Sequence, residues 1–77
     1  MKITRAMSSL ISSYSIAFAR AVSFEQLVEA DAKCLNEISE LYHKRELSLE
    51  QVQFMISYFN EIITDSEAHI ERFCSDK

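Results

Sequence analysis

The 77 residues are 48% apolar, carry a net charge of -4 and include no glycine and no proline. A chain of this size forms one domain whose core supplies only roughly 3–5 kcal/mol, so oligomerisation or a partner often completes the burial. The apolar fraction is too high for a disordered tail, and without Gly and Pro the usual residues of hairpins and phosphate-cradling loops are missing, which disfavours all-β and nucleotide-loop folds.

The first stretch places Ile3, Met7, Leu10, Ile11, Tyr14, Ala17, Phe18 and Ala21 on one side of a helix and most of its serines on the other. Thr4 is the candidate N-cap, so the start falls between residues 2 and 5. Residues 1 to 22 carry Lys2, Arg5 and Arg20 and no acid, whereas the rest of the chain sets five Lys or Arg against twelve Asp or Glu. The basic helix is therefore expected to lie against the acidic remainder or against an acidic partner. Its basic start and the triplets Ala17-Phe18-Ala19 and Ala19-Arg20-Ala21 also match a targeting segment over residues 1–21, secretory or transit. Ser8, Ser9, Ser12, Ser13 and Ser15 interrupt the apolar run that a secretory signal needs, and no stretch reaches the roughly 20 apolar residues that span a bilayer. A cytoplasmic protein is expected.

Two copies of one helix-start signal follow, Val22-Ser23-Phe24-Glu25-Gln26-Leu27 and Leu47-Ser48-Leu49-Glu50-Gln51-Val52. In each, the Ser hydroxyl can accept the N–H three residues on while the Gln reaches back, and the apolar residue before the Ser can pack against the one five further along. The middle stretch then carries a seam of Phe24, Val28, Asp31, Leu35, Ile38, Tyr42 and Arg45, with Leu27, Cys34 and Leu41 beside it. His43, Lys44 and Arg45 suit a helix C-terminus, so this helix is expected to stop near Glu46. The third stretch follows a heptad through Leu49, Val52, Ile56, Phe59, Ile63, Ser66, Ile70 and Phe73, widened by Met55, Ile62 and His69. A short connection forces the last two helices into an antiparallel hairpin. The expected fold is all-α, a small three-helix bundle with helices at about 3–21, 24–46 and 49–75, and with a dimer as the alternative assembly.

Chemistry-bearing residues are sparse. In such a hairpin Cys34 and Cys74 lie about 20 Å apart along the axis, too far for the Cα separation of about 7 Å that a disulfide allows. His43 and His69 lack further ligands at metal spacing, with Asp65 one turn from His69 as its natural partner. No nucleophile stands beside an oriented base. The expectation is no enzyme, no cofactor and no metal.

Asp31 interrupts an apolar seam. Either Arg5, Arg20 or a lysine of a neighbouring helix reaches it, or it is a polar contact at a helix interface that selects one partner. Phe54 and Tyr58 stand one turn apart, away from the heptad seam, and are either core beneath the first helix or exposed anchors for another chain. Glu61 and Asp65 would then rim that anchor. The expected function is a non-enzymatic interaction module, a small adaptor, inhibitor or co-chaperone that binds another protein, or itself, through helix faces. Nucleic-acid regulation through the basic first helix and self-assembly into a structural unit are the alternatives.

Overall fold

The structure, a computed structural model, describes residues 2–74, and side chains as far as residue 72. It consists of three helices, α1 (Arg5–Arg20), α2 (Phe24–His43) and α3 (Leu49–Cys74), each packed against the other two, and no strand occurs among the described residues. The bundle is elongated, 48 × 20 × 16 Å.

Each helix starts on a side-chain cap. The Thr4 hydroxyl accepts Met7 N–H, Ser23 accepts Gln26 N–H and Ser48 accepts Gln51 N–H, each at 3.2 Å. The return half of the box differs between the two copies. Gln51 Oε1 accepts from Ser48 N–H at 2.8 Å, whereas Gln26 Oε1 accepts from Val22 N–H at 2.9 Å. The apolar clamp that should accompany each box forms on one side only: Leu47 is buried but Val22 is 75% exposed. Ala21 takes the inward position in that short connection, which leaves its neighbour pointing outward.

The expected α2 boundary at Glu46 moves back to His43. Arg45 N–H donates to Tyr42 O at 3.0 Å and Glu46 N–H to Leu41 O at 2.9 Å, with Arg45 at φ 63°. This is a Schellman stop, normally made by glycine at the left-handed position. In a chain without glycine an arginine takes that conformation, and nothing in its side chain announces it. The first helix is likewise shorter than 3–21, because Thr4 is its cap and Ala21 already has extended backbone.

The core consists of Met7, Leu10, Phe18, Ala21, Leu27, Cys34, Ile38, Leu47, Met55, Phe59 and Ile70. At its centre Phe59 meets Phe18 edge-on at 5.7 Å and Tyr14 at 6.3 Å. Two contacts show that α1 runs parallel to α3: Gln51 Nε2 donates to Lys2 O at 2.9 Å, and the Ser66 hydroxyl to Phe18 O at 2.9 Å. The chain is thus up, down, up.

The seam on α2 is rotated from the expected one. Leu27, Cys34 and Ile38 point inward with Leu41 and Ala30 against them, while Phe24, Val28, Leu35 and Tyr42 are exposed. The apolar stripe of α2 is wider than one bundle axis can cover, so with α1 on the Leu27 side the other seam faces out. On α3 the expected seam packs inward at Val52, Phe59, Ile63 and Ile70 with Met55 and Ile62 on its flank, while Leu49 is exposed.

Candidate interaction surface

Phe54, Tyr58, Glu61 and Asp65 follow one another by four, three and four residues, which sets them in one row along α3. Phe54 and Tyr58 are each 37% exposed, between a core residue and a free anchor. Their rings lie 6.2 Å apart, and Tyr58 in turn meets buried Phe59 edge-on at 5.8 Å. The pair therefore continues the internal aromatic cluster out to the surface, and its orientation is held from below. Glu61 and Asp65 are exposed and share a shallow depression with Asn60 and Thr64. The row is aromatic in its N-terminal half and acidic in its C-terminal half.

Asp31 lies elsewhere, partly buried in the cleft between α2 and α3 with Cys34, Leu35, Ile38, Ile56, Phe59 and Asn60. Among the described residues neither Arg5, Arg20 nor a lysine forms an ion pair with it. Arg5, Arg20 and Lys33 are exposed. Asp31 and the aromatic row thus belong to different faces.

Tyr14 and Ser66 tie α1 to the other two helices, and the Cys34 thiol is buried in the core. The Tyr14 hydroxyl donates to the Glu37 carboxylate across α1 and α2. Burial, and then that hydrogen bond, push the Tyr14 phenol up to about 12. Cys34 is a buried free thiol, pushed up to about 12 by burial first and then by the negative charges of Asp31 and Glu37. At neutral pH such a thiol is protonated and a poor nucleophile. The side chain of Cys74, its expected non-partner, lies outside the described residues. The hydroxyl of Ser66, the one polar position of the α3 heptad, satisfies a carbonyl at the α1 C-terminus.

His69 and Asp65 line one shallow depression with Ala19, Ala21, Ile62 and Ser66, while His43 borders another at the hairpin end. Among the described residues, no three of His, Cys, Asp or Glu are grouped to hold a metal ion, and no helix is long and apolar enough to cross a membrane.

Two features had no counterpart in the expected site: the double use of the Gln51 amide, and the outward α2 stripe of Phe24, Val28, Leu35 and Tyr42. The second was visible as two adjacent apolar seams on one helix, one more than a three-helix bundle can bury. Compared with known proteins, the chain matches no family, no curated sequence and no solved structure.

Proposed function

We propose that this chain is a non-enzymatic interaction module, a small adaptor, inhibitor or co-chaperone that binds another protein through helix faces. One observation carries the reading. Among the described residues ten large apolar side chains are exposed, against eleven apolar residues in the core. Scattered surface apolar residues need no explanation, but six of the ten line up in rows, Phe24, Val28, Leu35 and Tyr42 on α2 and Phe54 and Tyr58 on α3, which is how interaction faces are built. The row Phe54, Tyr58, Glu61 and Asp65 is the proposed partner-binding site. Its aromatic rings supply the anchor and its carboxylates favour a basic partner surface. The cytoplasm is the proposed location, and a homodimer through the same face the second reading.

The test is partner capture on immobilised protein, comparing wild type with the charge reversal Glu61→Lys/Asp65→Lys. Both carboxylates are exposed, so the variant keeps its melting temperature while association with a basic partner slows by about tenfold or more at low salt. Unchanged capture by the folded variant would remove the acidic rim from the site. Capture of nucleic acid in place of protein, falling steeply with added salt, would favour the basic α1 reading instead.

A further inference from the structure

We propose that the groove between α2 and α3, on the side away from α1, takes a basic amphipathic helix of a partner protein as a fourth helix of the bundle. Phe24, Val28, Leu35 and Tyr42 run down α2 at spacings of four and seven, exposed by 44, 68, 44 and 43%. This ridge extends about 27 Å, the length of an 18-residue helix. Beside it on α3 stand Leu49, exposed, and Ile56 and Ile63, partly buried. Leu35 and Ile56 meet in the α2–α3 cleft. Two antiparallel helices with an apolar furrow between them, of heptad spacing on both walls, match a third helix laid along them.

Charge decides between occupants. Asp31 sits in the furrow with no ion pair among the described residues. Glu25, one turn from Val28, and Glu67, one turn from Ile63, are exposed at its far end. Lys33, two residues from Leu35, falls on the opposite side of α2, and the bases next to the ridge, Lys44 and Arg45, stand at its Tyr42 end, away from Asp31. A helix with Lys or Arg flanking its apolar stripe would pair these carboxylates, including the partly buried Asp31. A second copy laid antiparallel on the groove would bring Asp31, near the middle of the ridge, close to the copy's own Asp31 in an apolar interface, which is unfavourable. Occupation rests on the chain's being an interaction module but is independent of the aromatic row on α3.

The probe is an amphipathic peptide of about 18 residues with leucine at heptad spacing and Lys or Arg flanks, set against the same peptide with Glu flanks. Each is titrated into isotope-labelled protein by NMR. The basic peptide should bind, with amide shifts centred on Val28, Leu35 and Ile56, and the acidic one at least about tenfold more weakly. Leu35→Glu, or Val28→Glu should the first variant melt early, should weaken the basic peptide about tenfold or more. Asp31→Asn should weaken it about three- to tenfold, and Glu61→Lys/Asp65→Lys, which removes acids from the other face, by less than about twofold. No binding, equal affinity for both peptides, shifts centred on α1 or the α3 row, or an equal loss in the Glu61/Asp65 variant would each overturn the assignment. So would a dimer or longer assembly in sedimentation that Leu35→Glu dissociates, which would give the groove to a second copy. If the groove fails while the α3 row still captures protein, the module reading stands and only the fourth helix falls.

Discussion

Gln51 uses both ends of its amide, accepting Ser48 N–H through Oε1 and donating through Nε2 to Lys2 O. One side chain therefore starts α3 and holds the chain ahead of α1 alongside it. Gln51→Ala should cost about 1–2 kcal/mol, against about 1 for Ser23→Ala or Ser48→Ala, which each lose a single cap. Urea unfolding checks the order, and equal midpoints for all three and wild type would mean these bonds are exchanged for water at no cost. At Arg45 the opposite change stabilises. A non-glycine residue in the left-handed region is strained by about 1–2 kcal/mol, and glycine returns part of that gain through its freer unfolded chain. Arg45→Gly should raise stability by about 0.5–1 kcal/mol in the same assay. The two raised acids set the pH response. Cys34 and Tyr14 stay protonated up to about 12 when folded but ionise near 9.0 and 10.0 when not. Below pH 9 both states hold the protons and stability is flat on their account; between 9 and 12 the unfolded chain releases them first, so stability falls as pH rises. Cys34→Ala should flatten the lower part of that alkaline decline, and an unchanged slope would mean that the thiol does not contribute.

On the scale of the helices, Phe59 is the residue on which α1 and α3 meet, buried between Tyr14 and Phe18 with Tyr58 against its edge. Phe59→Ala should cost about 3–5 kcal/mol, comparable with everything a core of this size supplies. Circular dichroism should therefore show most of the helix lost at room temperature, and full helicity would move the core off this face. The helix starts, the hairpin and the core positions Met7, Leu10, Phe18 and Ala21 on α1 were legible because capping boxes and a single apolar stripe are local signals; Ile3, expected on the same face, precedes the Thr4 cap and is 46% exposed. The rotation of α2 was not. Its two seams, Leu27-Cys34-Leu41 and Phe24-Val28-Leu35-Tyr42, are equally apolar, and only the docking side of α1 decides which turns inward. Nor was the stop at Arg45 legible, because the backbone there is set by the turn into Leu47 and Ser48, with no glycine to mark it. Phe54 and Tyr58 were legible as off the seam, but the chain of ring contacts from Phe54 through Tyr58 to the buried Phe59 was not, because it depends on the packing of the bundle.

The molecule as a whole has more apolar helix surface than three helices can cover. Mutual packing buries one stripe per helix, and the remaining rows on α2 and α3 stay in contact with water. The charge pattern follows the same division, with Arg5 and Arg20 exposed on α1, Glu61 and Asp65 in the α3 row and Glu25 and Asp31 beside the α2 row, which is the basis for proposing a basic partner. The most direct measurement is stability and partner capture on one variant, Phe54→Ala/Tyr58→Ala. Since each ring is about two-thirds buried already, its loss costs about 1–2 kcal/mol, and the melting temperature falls while helicity at low temperature persists. At that low temperature capture of the partner should drop by about tenfold or more. A variant that is folded and captures its partner as wild type does would contradict the account, and one that unfolds outright would make the pair part of the core.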